Sequence, residues 1–126
     1  VHFGYFSHKA VARLAGLGWI GPSCLLITPD LGPRVRWATV FTNAPIGDKP
    51  RLMEDGCGNC TLCIRACPAQ AFTGKRFKEE DGREERMDSV KCHDYLKKTH
   101  EEKGVRVCGM CVAVCPIGKK NAKDKE

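Results

Sequence analysis

The sequence predicts a small α+β chain, with a helix and two strands followed by a loop-rich cysteine domain into which a further helix is inserted. Three observations carry this reading. Composition changes near residue 50, with Cys24 the only cysteine before it and the other eight after it. Those eight come in two groups whose members are mostly two or three residues apart. A capped amphipathic run lies between the groups and reads as a helix.

In residues 1–50, Ser7 to Ala15 predicts a helix, with Ser7 as its cap and Ala10, Val11, Leu14 and Ala15 on one apolar face. Gly16 and Gly18 end it. Leu25-Leu26-Ile27-Thr28 predicts a strand and Pro29-Asp30-Leu31-Gly32-Pro33 a turn. Val35 to Thr42 predicts a second strand, with Val35, Trp37, Thr39 and Phe41 on one face. A helix and two strands are too little for a core of their own, so this half is expected to pack on the cysteine domain or on further chain. Trp19 and Trp37 are expected in that packing, and the unpartnered Cys24 as a buried structural thiol. Pro45 to Pro50 is the expected linker. The chain opens at Val1, in structured-looking sequence, which is the expectation for a piece of a longer or processed protein.

Residues 51–118 form the second unit, and 119–126 a frayed tail. Asp88-Ser89 starts a helix that runs to about Lys103 and stops at Gly104, with Cys92, Tyr95, Leu96 and Thr99 on one face. The run Lys78 to Arg86 mixes both charges and predicts a solvated turn or loop.

The cysteine spacing defines the chemistry. Cys57-x-x-Cys60-x-x-Cys63-x-x-x-Cys67-Pro68 is the bacterial run that binds [4Fe–4S] clusters, in which the fourth cysteine serves the other cluster. The second group is Cys92, then Cys108-x-x-Cys111-x-x-x-Cys115-Pro116. Exchange of the fourth cysteines completes two sets: Cys57, Cys60, Cys63 and Cys115 for cluster one, and Cys67, Cys92, Cys108 and Cys111 for cluster two. The fold class is therefore a two-[4Fe–4S] ferredoxin-like domain behind a small α+β segment. Structural zinc also takes four cysteines, but as separated Cys-x-x-Cys knuckles. It has no use for a third close cysteine or for the paired Cys-Pro endings. An odd cysteine count, these spacings and the lack of a signal segment argue for reduced thiols and metal over a secreted disulfide scaffold, so the cytoplasm is the expected compartment. No apolar run approaches the roughly 20 residues of a membrane-spanning helix.

The formal charge of +6 suggests nucleic acid. Four thiolates on a [4Fe–4S] core leave about −2 per cluster, so the loaded protein carries only about +2. A tRNA-facing surface is an open partner class with little support from charge alone.

Beyond the clusters, the order of motifs resembles the C-terminal half of the epoxyqueuosine reductase family. It runs through Ala15-Gly16-Leu17-Gly18-Trp19-Ile20-Gly21, an apolar strand, a Gly-Pro turn, the cluster motif and Cys92-His93-Asp94-Tyr95-Leu96. The related reductive dehalogenases share the cluster module. The resemblance implies a cobalamin-dependent reductase whose clusters feed electrons to cobalt, with most of the corrinoid domain upstream. It also implies that Gly16, Gly18 and Gly21 lie near the corrinoid. His2 stands where the family has an aspartate, the presumed proton donor, and Pro22 where it commonly has lysine, so the reaction stays unassigned. The other reading is a ferredoxin-type carrier, alone or as a subunit, that exchanges electrons with a redox partner protein and has no corrinoid.

Overall fold

A computed structural model describes residues 6–47 and 50–119. The first helix, α1 (His8–Leu14), is capped by Ser7, whose hydroxyl accepts from the amide of Ala10. After it the chain forms a hairpin: β1 (Trp19–Ile20) pairs antiparallel with β2 (Leu26–Ile27), with Trp19 opposite Ile27 and Ile20 opposite Leu26. Ala12, Ile20 and Leu26 form the buried cluster under α1, and Trp37 and Phe77 pack against it from more distant parts of the chain.

The predicted strand at 25–28 is thus present, but its partner is Trp19–Ile20 and not the second predicted strand. Residues 35–43 form no ladder. Val35, Trp37 and Thr39 are half-buried in alternation with exposed neighbours, so the pleated pattern is real, yet Val40 and Phe41 are 86% and 78% exposed. A strand is defined by the edge it pairs with, and none of the described residues supplies one here. The segment is held by side chains instead. His8 Nδ1 lies 2.8 Å from Thr39 Oγ1, and the Phe6 and Phe41 rings meet edge to face at 5.2 Å.

The predicted turn closes as a bridge between Thr28 and Gly32. Gly32 takes a left-handed φ of 60°, and a side chain there would strike the carbonyl of Ile117. Beyond the turn, Arg34 reaches 78 to 83 residues along the chain. Its guanidinium donates to the carbonyls of Cys115 (2.7 Å), Ile117 (2.8 Å) and Val112 (3.1 Å). These carbonyls follow or close the short helix α4 (Met110–Ala113), whose last C=O groups have no partner within the helix. A cation suits that end of a helix.

In the second half, α2 (Leu62–Arg65) packs on α4. The helix α3 (Ser89–Lys103) has the expected limits: Asp88 accepts from the amides of Val90 and Lys91, both at 3.0 Å, and Gly104 closes it at φ 72°. Cys92, Tyr95, Leu96 and Thr99 are its half-buried face. The charged run 78–86 is mostly exposed, as expected of a solvated loop, and departs from that expectation at its end. It ends in a 3₁₀ turn at Arg83–Glu85, and Arg86 is buried to 7% exposure, its guanidinium 4.9 Å over the Phe77 ring. Stacking on an aromatic face shields a guanidinium from water in a way that sequence charge does not register. Of the expected linker, residues 48 and 49 lie outside the described residues, as does the tail from 120 onward. No described helix is long and apolar enough to cross a membrane.

Arg34→Ala removes three bonds from a charged donor and leaves three carbonyls without it, so we expect a loss of about 3 kcal/mol in stability. Arg34→Lys, which keeps the charge without the planar fork, should recover only part of this. Denaturant midpoints of the two variants check both statements.

Candidate metal centres

Each half of the cysteine motif is a tight loop leading into one helical turn. Gly58 and Gly109 each follow the first cysteine of a loop, at φ 49° and 66°, and in both cases the backbone conformation alone calls for glycine. The two loops also leave their helices alike. Gln70 and Gly118 each stand three residues beyond a Cys-Pro cysteine, and both are left-handed, at φ 47° and 77°. The packing of α2 on α4 brings the loops together face to face.

Two hollows result. One, of about 230 Å³, is lined by Cys57, Cys60, Cys63 and Cys115, with apolar walls from Ile27, Leu62 and Ile117. The other, of about 510 Å³, is lined by Cys67, Cys92 and Cys108, with Phe72, Tyr95 and Leu96 around them. Cys111 borders both. The thiols influence one another within the same sets. Burial pushes Cys57 up to about 11, a shift to which the neighbouring Asp55 carboxylate and Cys115 add. Cys63 is raised by burial, then by Cys60 and Cys115. Cys92 is raised by burial, then by Cys67 and Cys108, and Cys111 by burial, then by Cys108, Cys67 and Cys92. As bare thiols these groups hold their protons, and a metal must displace them on binding. Cys115 therefore sits with the first loop, and Cys67 with the second.

The donor set fits an iron–sulfur core better than a single ion. Four sulfurs at about 2.3 Å from one zinc lie within about 4 Å of each other. Among the described residues, no three Cys, His, Asp or Glu side chains converge closely enough to hold one metal ion. The thiols stand back around open hollows with room for an inorganic core.

Several residues outside the cysteine motif complete the first hollow. The Trp19 indole N–H donates to Cys57 Sγ at 3.2 Å, and it favours the thiolate against the effect of burial. Thirty-eight residues separate the pair, and nothing in the spacing of either motif announces it. Gly56 is needed where the Trp19 ring lies, since a Cβ there would come within 2.7 Å of it. A Cβ on Gly21 would approach Cys57 Sγ to 3.3 Å, one on Gly18 would strike the carbonyl of Ile27, and one on Gly16 would come within 2.6 Å of the carbonyl of Arg51. The space beside each of these three glycines is thus taken up by the chain itself. His2 lies outside the described residues. Cys24 is buried at 4% exposure, as expected of a structural thiol, with a left-handed φ of 56° in the hairpin turn.

Residues 56–118 match the model of the 4Fe-4S double cluster binding domain. Over 130 aligned residues the chain is 37% identical to the epoxyqueuosine reductase of Bacillus cereus, covering 94% of this chain and 31% of that protein. It is 38% identical over 123 residues to the tetrachloroethene reductive dehalogenase of Sulfurospirillum multivorans, covering 89% of this chain and 24% of that enzyme. Among solved structures, an epoxyqueuosine reductase with an epoxyqueuosine-modified tRNA-Tyr stem loop superposes with a TM-score of 0.71 at 30% identity, covering 96% of this chain and 32% of that one. The chain thus spans about a third of the length of the curated epoxyqueuosine reductases it matches. With its two cysteine loops closed on one another and half its length matched by that model, the chain belongs to the 4Fe-4S double cluster binding domain family.

Proposed function

We propose that this chain is the electron-delivery part of a cobalamin-dependent reductase of the epoxyqueuosine reductase type. The observation that carries the electron-transfer reading is that eight thiols line two hollows, Cys115 lying with the first loop's cysteines and Cys67 with the second's, while Cys111 borders both. Cys57, Cys60, Cys63 and Cys115 hold one [4Fe–4S] cluster, and Cys67, Cys92, Cys108 and Cys111 hold the second. When bound, the clusters supply one-electron transfer. The protein's own part is to orient the thiolates, to exclude water with Leu62, Ile117, Phe72 and Leu96, and to donate the Trp19 N–H to Cys57 Sγ. That donor stabilises added negative charge and so raises the potential of the first cluster.

The corrinoid rests on similarity to the epoxyqueuosine reductases and to a reductive dehalogenase, which the Gly16 to Gly21 segment and the helix-borne Cys92 extend beyond a plain ferredoxin. Gly16, Gly18 and Gly21 would then present backbone near the corrinoid, and His2 would stand as proton donor. The tRNA stem loop in one similar structure supports tRNA as the partner class. In this reading the chain works in the cytoplasm, where thiols stay reduced.

Cys92→Ser should reduce the iron content from about eight atoms per chain to about four and remove one of two reduced-cluster signals. Iron analysis with electron paramagnetic resonance reads this, and full iron retention would exclude Cys92 as a ligand. Trp19→Phe should lower one cluster's midpoint by about 40 mV, the one-electron equivalent of a hydrogen bond worth about 1 kcal/mol, and leave the other in place. A potentiometric titration separates the two. For the corrinoid, the complete protein is prepared anaerobically and titrated with cobalamin. A protein-bound Co(II) signal is expected beside the reduced clusters, whereas cobalamin left free would reduce the function to a ferredoxin-type carrier.

A further inference from the structure

A cavity of about 380 Å³ lies between α1 and the segment 77–86 and shares Lys9, Cys24 and Arg83 with the wall of the second thiol hollow. Four cations line it: Lys9, Arg13, Arg83 and Arg86. Two are balanced by exposed carboxylates, Arg13 by Glu79 at 2.9 Å and Arg83 by Glu84 at 3.2 Å. The other two have no carboxylate partner among the described residues. Lys9 donates to the carbonyl of Cys24 at 2.6 Å. Arg86, at 7% exposure, spends one terminal nitrogen on a long contact of 3.9 Å to the Cys24 sulfur.

A buried guanidinium normally has its donors matched, because each unmatched one carries its full desolvation penalty. Here the Nε atoms of Arg83 and Arg86 are both buried without a hydrogen-bond partner among the described residues. Burial, together with the neighbouring Arg83 and Arg86, also lowers the pKa of Lys9. The rest of the lining includes Ala10, Leu14, Ile20 and the Phe77 ring, over which the Arg13 and Arg86 guanidiniums lie at 4.7 and 4.9 Å. Guanidinium N–H groups left unmatched by the protein, as on Arg83 and Arg86, suit the oxygens of a phosphate, and the two cations without a carboxylate partner, Lys9 and Arg86, match a dianion.

We infer that this cavity binds a small organic phosphate monoester, its phosphate held by Arg86, Arg83 and Lys9 and its organic part against Phe77 and Leu14. Lys9, Cys24 and Arg83 border the second hollow as well, so a bound phosphate would lie on that hollow's flank.

The test is calorimetric titration of the anaerobically prepared, cluster-loaded chain with phenyl phosphate. One site is expected, with dimethyl phosphate, a monoanionic diester, at least tenfold weaker. Arg86→Gln should weaken phenyl phosphate at least tenfold and Arg86→Lys less, while Lys98→Gln on the exposed face of α3 leaves it unchanged. Iron content and circular dichroism establish that each variant is folded. Should Arg86→Gln not fold, Lys9→Gln carries the same expectation of at least a tenfold loss. Absence of binding, equal affinity for the diester, or affinity indifferent to Arg86→Gln or, where that fails to fold, to Lys9→Gln would overturn the inference.

Discussion

The apolar core of this chain is too small to hold it by itself, and that shortage shapes the rest of the structure. Trp19, Ile20, Leu26 and Ile27 are the large buried hydrophobic side chains among the described residues, and they all belong to one hairpin. Burial on that scale cannot offset the conformational entropy of a chain this long. Order in the second half has to come from directed bonds. The thiols around two hollows are the strongest candidates, because metal–thiolate bonds formed on folding contribute directly to stability.

The β1–β2 hairpin is where the two halves become one object. Its first strand offers the Trp19 N–H to Cys57, and its turn places Gly21 over the same sulfur and Cys24 against Arg86. Its second strand puts Ile27 into the wall of the first hollow. The next segment sends Arg34 to the far end of α4. A strand pair only two residues long is marginal in isolation, so the hairpin and the cysteine loops need each other.

Local signals were legible where the physics is local. Helix α3 begins at an aspartate that caps it and ends at a glycine that alone tolerates its φ, and both lie within a few residues of the bonds they make. The strand expected over 35–42 shows the opposite case. Its alternation is visible down to Thr39, yet alternation states only which face is buried and not which edge will pair. Arg86 makes the same point for charge. A residue surrounded in sequence by Glu84, Glu85 and Asp88 reads as solvated, and it becomes buried because Phe77 folds beneath it.

From the sequence alone came the chemistry of the cysteines, the limits of α3 and of α1, and the place of β2. Each rests on spacing or capping within a short stretch of chain. Only the tertiary structure decided that Trp19 addresses Cys57, that Arg34 closes α4, and that four cations meet around one cavity. Those pairings join residues 38 to 83 positions apart, or bring together side chains from separate segments. Side chains so far apart in sequence acquire a common environment only when the intervening chain has packed, and no periodicity or propensity encodes that meeting.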